Sequence, residues 1–241
     1  MKREALAVVL TLGAFLAATA RGLVSAEPAE TGTASVSGKV SFEGAAPAPE
    51  VLPVARDAVC QALHPQGIET RAIDVRGGGL ARVLVYVKSG LRPTLPPPTE
   101  PVVMDQKGCA YVPPLLVVQV GQPLKIRNSD NTFHNVHTWP TVNAEFNIAQ
   151  PRQGMEATRT FDKPEILFPV GCDIHPWMRA FIAVLPHPLH AVTGPDGTFT
   201  LKGLPAGEYE IEAVHGKLKG LTARVAVKDG QAATLNFSFK G

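Results

Sequence analysis

Three side chains with metal-binding chemistry lie within seven residues of one another in the last third of the chain. Cys172, His175 and Met178 follow at intervals of three, in the stretch Cys-Asp-Ile-His-Pro-Trp-Met. A thiolate, an imidazole and a thioether form a soft donor set that suits copper. Copper electron-transfer sites place one Cys and two His in a plane with a weak axial Met. The stretch therefore predicts a copper site that needs one more histidine.

Two upstream histidines could complete this donor set. His134 and His137 lie in the segment Asn-Thr-Phe-His-Asn-Val-His, about 40 residues before Cys172 and just past a strand-like run. Residues three apart on a strand point to opposite faces, so only one of the two can face the site. Residue spacing alone leaves the choice open.

An upstream His followed by Asn135, with a late Cys-x₂-His-x₂-Met loop, resembles the cupredoxins of the amicyanin and plastocyanin type. The resemblance covers roughly residues 101–186. It implies His134 and His175 as nitrogen ligands, Cys172 as the thiolate, Met178 as the axial ligand and one copper per chain. It also implies that Asn135 ties the ligand loops together and donates a hydrogen bond toward the thiolate.

Other uses of these residues explain less. Cys172 and His175 could form a protease-like pair, but no orienting partner is visible and Met178 would have no role. Zinc accepts Cys and His but has little use for Met. We expect an electron carrier rather than an enzyme, with a redox partner protein. One alternative is a copper storage or delivery protein with the same ligands. The other is a β-sandwich module that binds carbohydrate or protein and in which the copper site is structural.

The chain has three cysteines, and copper would occupy Cys172. Cys60 and Cys109 are then free to form one disulfide in an oxidising compartment. The alternative is that both are small buried apolar residues.

The N-terminus predicts export. Lys2 and Arg3 precede a largely apolar run over residues 5–20, and Val24-Ser25-Ala26 offers a cleavage site, so residues 1–26 read as a signal peptide. The uncharged run is shorter than the ~20 residues that span a bilayer. We expect a periplasmic or secreted protein without a membrane span after cleavage.

Charge excludes one class of partner. The chain has 23 basic and 21 acidic residues, and removal of residues 1–26, which carry three basic and one acidic, leaves 20 of each. A near-neutral chain without a basic run lacks the charge that nucleic-acid binding requires, so we expect no nucleic-acid partner.

The composition predicts an all-β protein, because Gly and Pro each number 22 and aromatic residues are few. Apolar and alternating runs predict strands at residues 34–42, 80–88, 102–105, 115–120, 124–128, 165–170 and 178–185. Helical spacing predicts a helix over residues 54–63. Residues 92–101 contain five prolines and predict a stiff connector.

A second resemblance covers the C-terminal part. A Gly-Pro-Asp-Gly turn at residues 194–197, followed by Gly-Leu-Pro-Ala-Gly-Glu-Tyr at 203–209, resembles the carboxypeptidase regulatory-like domain. That family implies a transthyretin-like β-sandwich beside a cupredoxin Greek-key sandwich, and a possible carbohydrate or protein ligand. The expected division is a signal peptide at 1–26, an N-terminal β segment at 34–100, the cupredoxin at 101–186 and the second sandwich at 187–241. The segment 34–100 either completes the second sandwich or forms its own module.

Overall fold

A computed structural model describes residues 32–54, 56–91 and 96–241. The predicted signal peptide lies outside the described residues, as do residues 92–95 of the proline-rich connector. In the described ranges nearly all of the regular secondary structure is β-strand, with one short helix, which confirms the all-β fold class. No helix in these ranges is long and apolar enough to cross a membrane.

The elements fall into three consecutive stretches. The first contains β1 (Ala34–Glu43), β2 (Glu50–Leu52), α1 (Ala58–Leu63), β3 (Ile68–Thr70), β4 (Val75–Arg76), β5 (Gly79–Leu80) and β6 (Leu84–Ser89). The second contains β7 (Val102–Gln106), β8 (Tyr111–Val112), β9 (Leu115–Gln119), β10 (Leu124–Asn128), β11 (His134–Thr138), β12 (Asn147–Gln150), β13 (Glu156–Arg159), β14 (Glu165–Gly171) and β15 (Arg179–Leu185). The third contains β16 (His190–Val192), β17 (Thr198–Leu204), β18 (Gly207–His215), β19 (Leu218–Val227), β20 (Ala232–Thr234) and β21 (Phe237–Lys240).

The second stretch forms two sheets that share one core. Their strand orders are β13-β10-β7-β8 and β12-β11-β14-β15-β9. The side chains of β10 alternate between buried and more exposed positions, as expected for a strand with one face on a core. Met104, Ile126, Val136 and Ile182 lie in this core and are fully buried. We call these two sheets the central sandwich.

The first and third stretches share a different pair of sheets, which we call the outer sandwich. Strand β1 pairs with β17, β20 and β21, and β6 lies between β16 and β18. The central sandwich is therefore inserted, in sequence, between two parts of the outer one. A small cluster containing Leu84 and Tyr86 of β6 with Leu115 and Leu185 of the central sandwich joins the two.

Residues 50–70 pack on the central sandwich. Val54 and Cys60 are buried in its core, and Leu52 and Ile68 pack against it. The predicted helix start at residue 54 is wrong, because Asp57 has extended backbone and its Oδ1 accepts the N–H of Cys60 at 2.8 Å. A side-chain acceptor at this position begins a helix by satisfying a free backbone donor.

Two predicted strands contain interruptions. The run 80–88 divides into β5 and β6 because Arg82 adopts a positive φ of 58° between them. In β14 the register with β15 shifts before Phe168, and Leu167 has a φ of 55°. The ladder then continues through Pro169, whose carbonyl accepts the N–H of Trp139 at 3.0 Å. A bulge is one of the few sheet positions beside which proline is tolerated.

Candidate metal centre

The predicted nitrogen and sulfur ligands converge in one buried pocket. The potential ligand atoms of His134, Cys172 and His175 all lie within 4.8 Å of one another. Nδ1 of His134 is 2.9 Å from Nδ1 of His175, which is 3.9 Å from Sγ of Cys172. The three residues are 0%, 1% and 1% exposed.

Strand pairing brings these distant residues together. His134 begins β11, which pairs antiparallel with β14 through His137 and Gly171. Cys172 follows β14 directly, so it emerges beside β11. The loop then closes on itself, since the N–H of Cys172 donates to the carbonyl of Met178 at 3.2 Å and the N–H of Met178 donates to that of His175 at 2.9 Å.

Met178 is 1% exposed and belongs to the same core cluster as Cys172. The backbone of Met178 therefore closes the loop through hydrogen bonds. Its side chain is buried in the core, and in sequence it lies three residues after His175. The role of its sulfur as the axial ligand stays a prediction.

Each imidazole has a carboxylate behind it. Oδ2 of Asp130 lies 3.0 Å from Nε2 of His134, and Oδ2 of Asp57 lies 3.3 Å from Nε2 of His175. A carboxylate at Nε2 keeps the hydrogen on that nitrogen and leaves Nδ1 for a metal. The 2.9 Å contact between the two Nδ1 atoms then needs one shared proton, which a metal would displace.

The surroundings favour the neutral form of His175. Burial lowers its pKa, and the neighbouring charge of His134 lowers it further, against the opposing effect of Asp57. Metals bind the neutral imidazole, so this direction favours metal binding.

Asn135 connects the two ligand loops. Its Oδ1 accepts the backbone N–H of Asp173 at 2.8 Å, and its Nδ2 donates to Oδ2 of Asp173 at 2.9 Å and to Oδ1 of Asn147 at 2.7 Å. These partners fix the amide with its oxygen toward Cys172, whose thiol donates to it at 3.2 Å. The expected donation from Asn135 to the sulfur is therefore not observed, because the Asp173 carboxylate takes the amide donor.

His137 lies on the other face of β11. Its Nε2 is 2.9 Å from Oε1 of Glu145 and its Nδ1 is 3.1 Å from Oδ1 of Asp173. The hydrogen bond with Glu145 raises the pKa of His137, and the hydrogen bond with Asp173 raises it as well. Burial acts in the opposite direction but does not outweigh them. The structure thus brings His134, not His137, to the pocket.

A disulfide joins Cys60 and Cys109, with an S–S distance of 1.99 Å, while Cys172 is free and buried. Trp177 contacts both the disulfide segment and a histidine: its Nε1 donates to the carbonyl of Cys109 at 3.2 Å, and its ring centroid is 4.9 Å from that of His175.

Sequence reasoning missed the three carboxylates of the site: Asp57, Asp130 and Asp173. The position of Asp130 four residues before His134 was a usable signal. Asp57 had no such signal, because it comes from a segment more than 100 residues from its partner in sequence.

No family model and no curated protein matches the chain. Among solved structures, a Cu(I) form of an amicyanin variant is 27% identical over 34% of this chain and 80% of its own, with a TM-score of 0.31. A second amicyanin variant, in the reduced state, is 25% identical over 39% of this chain and 97% of its own, with a TM-score of 0.31. A copper-containing nitrite reductase from Thermus scotoductus SA-01 is 25% identical over 43% of this chain and 26% of its own, with a TM-score of 0.32. Each of these similarities covers less than half of this chain.

Proposed function

We propose that this protein is an exported blue copper protein of the cupredoxin type that carries single electrons and is not itself an enzyme. The observation that carries the proposal is the buried convergence of His134, Cys172 and His175, with all three donor atoms within 4.8 Å. One copper per chain would be held by these residues, with Met178 as the weak axial ligand.

The donor chemistry fits copper. Two imidazoles and a thiolate with a nearby thioether are the ligand types of blue copper sites, whereas structural zinc sites use Cys and His without Met. Copper, when bound, would supply one-electron chemistry by changing between Cu(I) and Cu(II). The chain holds the donors: burial excludes water, and carboxylates fix both rings.

Rigidity supports electron transfer over copper delivery. Both histidines are hydrogen-bonded through Nε2, Asn135 connects the two ligand loops, and the ligand loop is closed by backbone hydrogen bonds. Ligands held in one arrangement suit a site whose metal changes charge without leaving. A delivery protein must instead open its site to release metal.

The remaining features suit an exported protein with a docking scaffold. The disulfide accords with an oxidising compartment, as does the sequence of residues 1–26. We interpret the outer sandwich as a regulatory-like, transthyretin-type domain that supports the central sandwich or docks a redox partner protein.

The test is titration of the metal-free protein with Cu(II) while the visible spectrum is recorded. We expect one copper per chain and an intense thiolate-to-copper absorption that is lost in Cys172→Ser and retained in His137→Ala. Copper should also stay bound when the wild type is reduced. A colourless wild-type complex, or a band that survives in Cys172→Ser, would contradict the site. Copper loss on mild reduction would favour delivery over electron transfer.

A further inference from the structure

A residue from outside the central sandwich completes the environment of one metal ligand. Asp57 is 118 residues from His175 in sequence, yet its Oδ2 lies 3.3 Å from Nε2 of that histidine. The same oxygen accepts the hydroxyl of Thr132 at 2.5 Å. The other carboxylate oxygen accepts the N–H of Cys60 and begins helix α1. Oδ2 of Asp57 therefore contacts His175 and Thr132, whereas Oδ1 caps helix α1.

The disulfide fixes the segment that presents Asp57. Cys60 lies in helix α1, and its bond to Cys109 joins this helix to the loop that follows β7. The sulfur of Cys60 lies within 4.8 Å of the donor atoms of both Asp57 and His175. Val54 and Cys60 are buried in the central core, which anchors the segment further.

Cys109, the second cysteine of the disulfide, lies beside His134 in a similar arrangement. Oδ2 of Asp130 accepts the N–H of Cys109 at 2.8 Å and faces Nε2 of His134 at 3.0 Å. The sulfur of Cys109 lies within 4.8 Å of the donor atoms of Asp130 and His134. The disulfide therefore closes the pocket on the side of both Nε2 atoms.

We propose that Asp57 is a positioning residue for the metal ligand His175, and that helix α1 and the Cys60–Cys109 disulfide hold it against the imidazole. This inference rests on the proposed copper function. Asp57 fixes the imidazole of His175 so that its Nδ1 faces the metal position. Together with the disulfide, Asp57 covers the Nε2 side of this imidazole. Exchange of the metal therefore requires the segment that carries Asp57 and helix α1 to move. Loss of such a carboxylate partner weakens metal binding about 10- to 100-fold in other sites.

The experiment must separate this role from the capping of helix α1. Asp57→Ser does so, because serine caps a helix as well as aspartate does but has no second oxygen to reach the imidazole. The matched control is Asp196→Ser, which makes the same change at an aspartate that accepts the N–H and hydroxyl of Thr198 in the outer sandwich. A double variant, Cys60→Ser with Cys109→Ser, removes the disulfide and leaves Asp57 in place.

Two quantities are measured on the Cu(I) protein, which is diamagnetic. One is the rate at which the Nε2–H proton of His175 exchanges with water, by NMR. The other is the rate of copper transfer to a Cu(I) chelator. In Asp57→Ser we expect both rates to rise about tenfold or more, with a urea midpoint close to that of the control. The double cysteine variant should move both rates in the same direction.

Unchanged rates in Asp57→Ser, with wild-type copper content and colour, would overturn the inference and leave the copper function intact. A wild type that binds no copper would instead overturn the proposed function. The same proton-exchange comparison in the metal-free protein then decides whether Asp57 holds His175, and equal exchange in wild type and Asp57→Ser would count against it.

Discussion

Oδ1 of Asn135 lies 3.2 Å from Sγ of Cys172, so the residue that follows one histidine ligand is hydrogen-bonded to the cysteine ligand. The same oxygen accepts the backbone N–H of Asp173 at 2.8 Å. Asn135 is 4% exposed and therefore has little access to water as a replacement partner. The two ligand loops are thus fixed to each other by one side chain.

Truncation of this side chain should loosen the site. Asn135→Ala removes the acceptor of the partly buried backbone N–H of Asp173, and loss of such a hydrogen bond costs about 0.5–1.5 kcal/mol of unfolding free energy. We expect that loss by urea denaturation of the metal-free protein, together with a broadened or shifted thiolate-to-copper absorption in the Cu(II) form. Asn236→Ala is the control, since Asn236 accepts one exposed backbone hydrogen bond in the outer sandwich. Equal effects of the two substitutions would argue against a connecting role for Asn135.

The buried thioether offers a test of the axial assignment. Met178→Gln supplies an oxygen donor that favours Cu(II), so the reduction potential should fall while copper stays bound. The measurement is voltammetry with copper content determined before and after. Met155→Gln makes the same change at a methionine that is not buried in the core, and it should leave the potential unaltered. An unaltered potential in Met178→Gln would show that Met178 is not the axial ligand.

The sequence indicated the three side chains that meet in the pocket, His134, Cys172 and His175, because their donor chemistry can be recognised from residue type. Cys172, His175 and Met178 lie in one loop. The alternation of strand faces allowed only one of His134 and His137 to point inward, and the resemblance to the cupredoxins, not the spacing, selected His134. Five of the nine strands of the central sandwich were predicted from local pattern, since residues 115–118 form an unbroken apolar run and residues 124–128 alternate between apolar and polar side chains.

The position of Asp57 beside His175 could not be predicted in this way. The contact of Asp57 with His175 depends on residues 50–70 packing on the central sandwich, and neither composition nor periodicity encodes that placement. The orientation of the Asn135 amide depends likewise on Asp173, which competes for its donor. Both features arise from tertiary packing between segments, and only the folded arrangement shows them.

Glu165 organises the loop that precedes β12. It is 8% exposed at the start of β14, and its carboxylate accepts the backbone N–H groups of Thr141 and Asn143 at 2.5 and 2.9 Å and the side-chain amide of Asn143 at 3.0 Å. Burial by itself raises the pKa of Glu165, but these hydrogen bonds outweigh it and lower the pKa from 4.5 to about 2. The folded state therefore stabilises the ionised carboxylate of Glu165 more than the unfolded state does.

The ionised carboxylate of Glu165 should make the stability of the protein depend on pH. A carboxyl group whose pKa is lower in the folded state stabilises that state above its unfolded pKa and loses this contribution as pH falls through the folded value. Glu165→Gln should lower the unfolding free energy by about 1.5–3 kcal/mol at pH 7, the range for hydrogen bonds to a charged group. The difference between wild type and variant should shrink from pH 4.5 down to about 2. Urea denaturation of the metal-free proteins across this pH range measures this difference.

The control is Glu156→Gln, because the exposed pair of Glu156 with Lys125, at 3.1 Å, should contribute at most about 1 kcal/mol. A difference for Glu165→Gln that stays constant between pH 5 and about 2.5 would mean that the ionised carboxylate is not what the loop requires.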